Sequence, residues 1–491
     1  MKRLNELLAD VETTAIIGSA ERDVAGLDYD SRRIGRDYCF FAVPGTASDG
    51  HDYIARAVAA GARTVVCQRL PELIDEEVCY IAVGDTNRAM ACMAAAWYGH
   101  PSEELKLVGV TGTNGKTTTA TLLSDLFRAL GYRTGLISTV VYRVDGREFP
   151  STHTTPDTLR LNALLREMVD AGCDYCFMEV SSHAIDQERI AGLRFAGGLF
   201  TNITHDHLDY HKTFAEYLRV KKSFFDTLPR EAFAVVNADD SHGRVMVQNT
   251  RAAVHTLSLR SDADFRCRII EMHFDGMLLR IDGSELWVNQ LGRFNAYNLL
   301  AVYAAAVLLG ADRNEVLRLM STLRSVNGRF EALQGPNGIT AIVDYAHTPD
   351  ALENVIQTVR EIRRPEQPLT VICGCGGDRD RTKRPEMARI AVKYATTALF
   401  TSDNPRHESP EAILDEMTAG LDPGERYLRI ADRAQAIRTA VLCARPGEII
   451  LVAGKGHEEY QIVGDEKRHF SDREELQKAF GSIRSETTKP E

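Results

Sequence analysis

The 491 residues of this chain are more than one hydrophobic core usually serves, so two to four domains are expected. The formal net charge of −11, with acidic and basic residues interspersed, argues against a nucleic-acid surface, although a local basic pocket could still hold a small anionic ligand. Ten cysteines scattered over this length, many of them in apolar segments, exclude the disulfide framework of a small secreted protein.

The first block, residues 1–100, alternates short apolar runs with helical patterns, which predicts a small α/β unit. Its polar loop 28–32, which contains Ser31, is not explained by packing. The first ten residues include acids and no uninterrupted apolar core, so a secretory signal is not expected. Strands are predicted at residues 39–43, 64–67 and 80–83, and a helix at 53–60.

The middle block, residues 101–333, opens with the most informative stretch of the chain, residues 107–118. An apolar strand (105–110) leads into a glycine loop with Lys116 and Thr117, followed by a helix (117–130). Backbone N–H groups of such a loop and the helix N-terminus bind phosphate, the lysine reaches the β- and γ-phosphates, and the threonine hydroxyl binds magnesium. Val110 stands where the strict pattern has glycine. An ordinary glycine-rich turn would not explain Lys116 and Thr117, so ATP is expected.

Acids and imidazoles follow two further strands of the middle block. Glu179 ends one strand, where a second magnesium ligand is expected, with a solvated strand-end acid as the alternative. Residues 202–211 either bind metal or phosphate or form a surface loop with capping aspartates. Lys221, in a helix predicted at 214–225, reads from spacing alone as a solvated lysine. The other strands are predicted at residues 134–141, 175–180, 198–203 and 233–237.

Three strands of the last block, residues 334–491, are each followed by a polar or glycine-rich loop. Because open α/β sheets bind ligands beyond the carboxyl ends of parallel strands, these loops predict one composite site of arginines and acids. Arg329 and loop 344–348 either close on phosphates or are structural. The strands are predicted at 369–373, 398–401 and 448–453, and the loops at 376–380, 403–406 and 454–458.

Segments 111–117, 179–183, 206–209 and 344–347 together resemble the Mur ligase family of peptidoglycan synthesis, and the resemblance extends over all three blocks. It implies an α/β protein of three domains: residues 1–100 bind the UDP precursor, a central P-loop ATPase-like domain (101–333) binds ATP, and a Rossmann-like domain (334–491) binds the amino acid. The longest apolar run, 299–309, is too short to span a bilayer, so a cytoplasmic protein without a membrane partner is expected. A monomer without a nucleic-acid partner is expected as well.

The resemblance also implies a reaction. ATP phosphorylates a carboxylate of a UDP-N-acetylmuramoyl dipeptide, and an amino acid then attacks the acyl phosphate. Loop 403–406 resembles that of members that add meso-diaminopimelate. An arginine in this loop can pair with the distal carboxylate that lysine lacks. Ligases that add lysine or extend folate with glutamate remain alternatives, as does a nucleotide-binding module without turnover.

Residue roles carried over from the family fall into four groups. The catalytic group is Lys116, Lys221, Glu179 and His207, and the Mg²⁺ group is Thr117, Glu179, His207 and a carbamylated Lys221. ATP would be bound by Gly112, Thr113, Asn114, Gly115, Lys116, Thr117, Thr118 and Arg329. The UDP precursor would be bound by Ser31, His153, Thr154, Thr155, Ser181, Gln187 and Arg189, and diaminopimelate by Arg379, Asp403, Asn404, Pro405, Arg406, Gly454 and Glu458.

Overall fold

The computed structural model describes residues 1–45, 48–151, 153–204, 206, 208–422 and 424–487. His207, which the family resemblance assigns to catalysis and metal binding, lies outside the described residues. Within the described ranges, no helix is both long enough and apolar enough to cross a membrane. Nine of the ten cysteines are buried and Cys443 is exposed, so the chain carries its thiols mainly as small core residues.

The first sheet has five strands in the order β2-β7-β6-β5-β4, with apolar clusters on both faces. The predicted strands and helix of the first block are confirmed within two residues at their ends. Its strands are β1 (Lys2–Arg3), β2 (Thr13–Ile17), β3 (Asp23–Val24), β4 (Gly26–Asp28), β5 (Tyr38–Phe41), β6 (Ala62–Cys67) and β7 (Cys79–Val83), and its helices are α1 (Leu4–Leu7), α2 (Ile54–Ala60) and α3 (Thr86–Trp97).

The second sheet has eleven strands in the order β11-β10-β9-β12-β8-β13-β14-β15-β16-β17-β18 and is parallel from β9 to β16. The strands are β8 (Lys106–Thr111), β9 (Thr134–Ile137), β10 (Val141–Val144), β11 (Arg147–Pro150), β12 (Tyr175–Glu179), β13 (Gly197–Phe200), β14 (Phe233–Asn237), β15 (Ala253–Ser258), β16 (Phe265–His273), β17 (Gly276–Ile281) and β18 (Ser284–Val288). The helices are α4 (Lys116–Ala129), α5 (Thr158–Asp170), α6 (Ser182–Asp186), α7 (Leu208–His211), α8 (Phe214–Asp226), α9 (Gly243–Met246), α10 (Arg293–Leu308) and α11 (Arg313–Met320).

Strand β8 lies inside this sheet, and its apolar residues are fully buried on both faces, as expected for a parallel strand covered by helices. Helix α4 follows it and packs Leu122, Leu123 and Leu126 against the sheet. This strand-loop-helix unit confirms the setting predicted for the phosphate loop. It places the first turn of α4 at the carboxyl edge of the sheet.

The single strand predicted at residues 134–141 is wrong. The chain instead makes an antiparallel hairpin of β9 and β10, with Ser138 at the turn. The Ser138 hydroxyl accepts hydrogen bonds from the backbone N–H groups of Val140 at 3.3 Å and Val141 at 3.1 Å. Such local bonds compete with strand pairing, so the polar pair Ser138-Thr139 interrupts the apolar run.

The third sheet has six strands in the order β19-β20-β24-β21-β22-β23, parallel from β20 onwards, and its three predicted strands are confirmed within one residue. The strands of this part are β19 (Glu331–Gln334), β20 (Thr340–Asp344), β21 (Leu369–Cys373), β22 (Thr397–Phe400), β23 (Tyr427–Arg429), β24 (Ile449–Ala453), β25 (Tyr460–Val463) and β26 (Glu466–His469). The helices are α12 (Pro349–Ile362), α13 (Lys383–Tyr394), α14 (Pro410–Thr418), α15 (Arg433–Cys443) and α16 (Asp472–Thr487). The domain boundaries at 100/101 and 333/334 stay a prediction.

Candidate active site

The phosphate loop is hydrogen-bonded to the residues that follow strand β13. Thr113 N–H donates to the Asn202 carbonyl at 2.8 Å, and Asn114 N–H donates to Asn202 Oδ1 at 3.0 Å. The Thr201 hydroxyl donates to the Asn114 carbonyl at 2.6 Å. These bonds explain why the strand predicted at 198–203 ends at Phe200: the next residues serve the loop instead of the sheet. The loop is therefore held open at the N-terminus of α4, where backbone N–H groups can bind an anion.

Two lysines converge on one carbonyl of this loop. Lys116 Nζ donates to the carbonyls of Gly112 at 2.9 Å and Thr113 at 2.8 Å, and Lys221 Nζ donates to Gly112 at 2.9 Å. Burial lowers the pKa of Lys116, against the opposing effect of Glu179 and Asp206. Lys221 is 1% exposed, and burial together with the neighbouring Lys116 holds its pKa well below the ordinary value. Lys221 is therefore not the solvated lysine that spacing alone indicates.

Glu179 lies at the end of β12 with 1% of its surface exposed. Its carboxylate accepts hydrogen bonds from Thr139 N–H at 2.7 Å and from the Thr139 hydroxyl at 3.2 Å. The solvated-acid alternative is therefore wrong, because the side chain is buried and fixed.

The Thr117 hydroxyl, in the first turn of α4, accepts from Arg329 Nη2 at 3.1 Å. With Glu179 it offers the hydroxyl and carboxylate oxygens that Mg²⁺ prefers, so the donor chemistry fits this ion. Among the described residues, no three His, Cys, Asp or Glu side chains are grouped to hold a metal. A magnesium site here would therefore need further oxygen ligands besides the Thr117 hydroxyl and the Glu179 carboxylate.

Five of the residues assigned to the UDP precursor form one network beside Glu179. The Thr155 hydroxyl donates to the Glu179 carbonyl at 2.7 Å and accepts from Ser181 N–H at 3.2 Å. Arg189 donates to Gln187 Oε1 at 2.6 Å and to the Thr155 carbonyl at 2.8 Å. The fifth member is Thr154, whose hydroxyl accepts from that of Thr139 at 3.0 Å.

Ser31 and His153 meet this network less directly. Ser31 is 8% exposed, and Tyr29 of the same loop lies close enough to Asp157 for that carboxylate, after burial, to raise the tyrosine pKa. The loop thus faces the middle block beside Arg189. His153 has an exposed side chain, and its contact is through the backbone: its carbonyl accepts from Tyr142 Oη at 2.6 Å.

The loops of the third sheet meet as the strand order predicts. Asn404 Nδ2 donates to Glu458 Oε2 at 2.9 Å, which joins the loop after β22 to the loop after β24. Arg406, at φ 51°, donates to the Gly377 carbonyl at 2.7 Å, which joins the loop after β21. Burial and the nearby Asp403 raise the pKa of Glu458. Pro405 and Gly454 complete these loops, and the Arg379 side chain is exposed.

A cleft of about 1030 Å³ separates the middle and last blocks. Both blocks contribute charged side chains to it. Its lining includes His183 and Asp206 from the middle block and Arg379, Asp403, Asn404, Arg406, Gly454 and Glu458 from the last block.

A second cavity, of about 320 Å³, lies behind the phosphate loop and is lined by Asn114, Gly115, Thr118 and Arg329. Asp344, from the loop expected either to close on phosphates or to be structural, also lines it, as does Asn298, which sequence reasoning did not assign to nucleotide binding. Asn298 is 5% exposed in α10, and a buried amide within an otherwise apolar helix was the available signal. Burial raises the pKa of Asp344 to about 6 despite Arg329.

Domain families of known proteins match three parts of the chain: the Mur ligase catalytic domain at residues 23–98, the middle domain at 110–306 and the glutamate ligase domain at 328–456. UDP-N-acetylmuramoyl-L-alanyl-D-glutamate–2,6-diaminopimelate ligase of Phocaeicola vulgatus is 53% identical over 98% of this chain and 100% of its own length. The enzyme of the same name from Bacillus cereus is 40% identical over 97% and 98%.

Solved structures of Mur ligases also resemble this chain over nearly its whole length. A structure of a ligase of that name has a TM-score of 0.70 at 29% identity and covers 98% of this chain and 99% of its own. MurF ligase from Thermotoga maritima in complex with ADP has a TM-score of 0.60 at 17% identity, over 94% and 98%, which shows the shared fold alone. The chain therefore belongs to the Mur ligase family and is an ATP-dependent amide-forming ligase.

Proposed function

We propose that the enzyme joins meso-diaminopimelate to the γ-carboxylate of D-glutamate in UDP-N-acetylmuramoyl-L-alanyl-D-glutamate, with conversion of ATP to ADP and phosphate. The names of relatives that are 40–53% identical over nearly the whole chain support these substrates. The observation that carries the proposal is the cleft in which the middle block faces the arginines and acids of the last block. A dibasic, dicarboxylic amino acid matches that charge pattern.

In the first step, a γ-carboxylate oxygen attacks the γ-phosphorus of ATP, the bond to the β-phosphate oxygen breaks, and ADP leaves. Lys116 and the N-terminus of α4 would hold the phosphates, and Arg329 would add a second cation beside Thr117. The adenosine would occupy the cavity lined by Asn298 and Asp344. Phosphoryl transfer needs mainly positioning and charge stabilisation, which these fixed groups supply.

Thr117, Glu179, His207 and a carbamylated Lys221 would hold Mg²⁺, which would neutralise phosphate charge. The lowered pKa of Lys221 supports carbamylation, because only a neutral amine attacks carbon dioxide. The amine nitrogen bonds to the carbon, a proton leaves, and the side chain becomes an anion.

In the second step, the neutral amine of diaminopimelate attacks the acyl carbon, phosphate leaves, and the nitrogen loses its proton to form the amide. Arg379 and Arg406 would pair with the distal carboxylate, while Asp403 and Glu458 would hold the distal ammonium group. Asn404 would add an amide donor, and Pro405 and Gly454 would shape the loops. Closure of the last block over the middle block would exclude water from the acyl phosphate.

The UDP-sugar dipeptide would lie along the network of Thr154, Thr155, Ser181, Gln187 and Arg189, with Ser31 reaching it from the first block and His153 at its margin. We propose three domains at residues 1–100, 101–333 and 334–491, one for each substrate. A monomer working in the cytoplasm, where ATP is available, needs no nucleic-acid or membrane partner.

Phosphate release tests the proposal. Wild-type protein with ATP, Mg²⁺ and the UDP-dipeptide should release phosphate with meso-diaminopimelate at least about 100-fold faster than with L-lysine, because lysine has no distal carboxylate to pair with Arg406. Arg406→Ala should remove this preference. Arg468→Ala is the control, since Arg468 pairs with Glu466 on the exposed hairpin. Equal turnover with lysine would contradict the substrate assignment.

A further inference from the structure

Lys455, in the loop after β24, is a fully buried lysine whose ammonium lies behind the amino-acid end of the cleft. Its Nζ donates to Asn404 Oδ1 at 2.9 Å, to the Tyr460 carbonyl at 2.7 Å and to Glu458 Oε2 at 3.4 Å. Asp403 Oδ1 lies at 3.4 Å. A buried cation is tolerated only when such partners surround it, so this lysine and the groups around it form one unit.

The first consequence concerns the side-chain amide of Asn404. Its Oδ1 accepts from Lys455 and also from Ile462 N–H at 3.0 Å, which uses both lone pairs of this oxygen. The Nδ2 atom donates one hydrogen to Glu458 Oε2 at 2.9 Å and keeps the second hydrogen. Because Lys455 can only donate, the amide cannot rotate, and Asn404 can offer a ligand in the cleft only a donor.

The second consequence concerns charge. Asp403 and Glu458 carry two negative charges, and Lys455 cancels one of them. Asp403 Oδ1 is buried, lies 3.4 Å from Lys455 Nζ and accepts no hydrogen bond from the described residues, so its charge is balanced only through this contact with the lysine. Lys455 lowers the pKa of Glu458, whereas burial and Asp403 raise it. The unit therefore has a deficit of one positive charge, which one ligand ammonium group can fill.

The charged groups around this unit are consistent with that count. Arg433 lies behind Asp403, but its guanidinium is already paired with Asp472 at 2.7 Å through two hydrogen bonds. Arg406 is left out of this count, because the proposed function assigns its charge to the distal carboxylate. Tyr345 and Tyr460 also face Glu458, and burial raises the pKa of each phenol, so both stay neutral.

We propose that Lys455 is a positioning residue that sets amino-acid selectivity. It fixes Asn404 as a donor and leaves a single unbalanced negative charge between Asp403 and Glu458, so that the site takes an ammonium group and a carboxylate together. This inference rests on the proposed function. Lys455 itself touches no substrate in this scheme and acts through the three side chains that it holds.

The test compares Lys455→Met with wild type and with Lys393→Met, whose ammonium lies over the Tyr394 ring away from the cleft. Lys455→Met should raise KM for meso-diaminopimelate at least tenfold while KM for ATP and for the UDP-dipeptide changes less than twofold. The acid limb of the pH profile of kcat/KM for diaminopimelate should move to higher pH, because Glu458 loses the cation that lowers its pKa. A purely structural lysine would change kcat or thermal stability without moving that limb.

Asn404→Asp provides a second variant in case Lys455→Met does not fold. It keeps the oxygen that faces Lys455 and forms an ion pair there, but its second oxygen replaces the donor with an acceptor and stands against Glu458 Oε2, so its folding is checked by thermal unfolding. KM for diaminopimelate should again rise at least tenfold. Unchanged KM in this variant, or an unmoved pH limb in a folded Lys455→Met, would overturn the inference. If the wild-type protein released no phosphate in response to diaminopimelate, the proposed function would be overturned instead.

Discussion

Lys221 and Lys222 are neighbours in α8 with opposite surroundings. Lys221 is buried against the Gly112 carbonyl, whereas Lys222 bonds Asp226 one turn further along the same helix at 2.7 Å. We predict that Lys221→Ala lowers kcat by about 100-fold or more, the size expected when a fixed charge at a phosphoryl-transfer site is lost. Lys222→Ala should change kcat less than about threefold, because Lys222 pairs with Asp226 and makes no hydrogen bond to the phosphate loop among the described residues.

Carbamylation adds a second readout for Lys221. Wild-type protein equilibrated with ¹³C-bicarbonate should give a carbamate carbon resonance that is absent from Lys221→Ala and present in Lys222→Ala. Short carboxylic acids added to Lys221→Ala should restore part of the phosphate release by filling the vacated volume with an anion. Equal activity of the two variants would contradict the role assigned to Lys221.

The pKa values of His457 and His407 are shifted in opposite directions. His457 packs against the Tyr345 ring at 5.0 Å between ring centroids, and burial, followed by Arg329 and His347, lowers its pKa to about 3. His407 is exposed, and Asp378 and Asp465 raise its pKa. In protein labelled with ¹³C-histidine, the His457 resonance should not shift between pH 8 and about 4.5, while that of His407 should titrate above the ordinary range.

The lowered pKa of His457 determines how the stability of the protein changes with pH. His457 is neutral in the folded protein and takes up a proton in the unfolded chain below pH 6.5, so the free energy of unfolding falls as pH decreases from 6.5 toward 3. The slope from this residue is at most about 1.4 kcal/mol per pH unit. His457→Gln should reduce the acid loss of thermal stability and should also assign the resonance. A His457 signal that titrates near pH 6.5 would show that the ring is solvated.

At the scale of elements, the phosphate loop depends on a glycine that cannot be replaced. Gly112 has φ +147°, and a Cβ there would overlap the Thr201 hydroxyl and approach the Asn202 carbonyl at 2.9 Å. Gly131, after α4, also has positive φ (+93°), but a Cβ there meets nothing within 4 Å. Gly131→Ala should cost only the backbone strain, about 1 kcal/mol. Gly112→Ala should also weaken binding of a fluorescent ATP analogue at least tenfold, because the loop must move away from β13.

Comparison of Gly112→Ala with Gly131→Ala separates the effect of backbone strain from that of steric overlap with Thr201. Thermal unfolding of both variants measures the strain, and titration with the analogue measures the loop. Comparable nucleotide affinity in Gly112→Ala and Gly131→Ala would mean that the contact with Thr201 does not shape the phosphate site.

The elements that the sequence predicts well are those whose signals are local. The phosphate loop needs only a buried strand, glycines, Lys116 and a following helix, all within a few residues, and the loops of the third sheet follow from strand order. The contact between Arg329 and Thr117 joins residues 212 positions apart, so no spacing reveals it. The burial of Lys221 is equally invisible, because it depends on α8 packing under Gly112.

At the scale of the whole molecule, polar side chains join the last block to the middle block at the cleft, beside a hydrophobic cluster that both blocks share. One of these side chains is Asp350, in the first turn of α12, whose Oδ2 accepts from Asn114 Nδ2 at 3.1 Å and from the Thr204 hydroxyl at 3.2 Å. Asn114 belongs to the phosphate loop. A bound nucleotide that moves Asn114 would therefore change how the last block is held, which couples ATP binding to access to the cleft.

We predict that Asp350→Ala loosens this contact. Hydrogen bonds to a carboxylate contribute about 1.5–3 kcal/mol, enough to shift a two-state equilibrium between arrangements of the blocks by tenfold or more. Small-angle scattering without nucleotide should give a larger radius of gyration for Asp350→Ala than for wild type. The control is Glu353→Ala, one turn along α12, whose carboxylate accepts a hydrogen bond from Tyr394 of the last block at 2.7 Å. If Asp350→Ala and Glu353→Ala scatter alike, the two blocks are held by other contacts, and nucleotide-dependent closure must act through Arg329 instead.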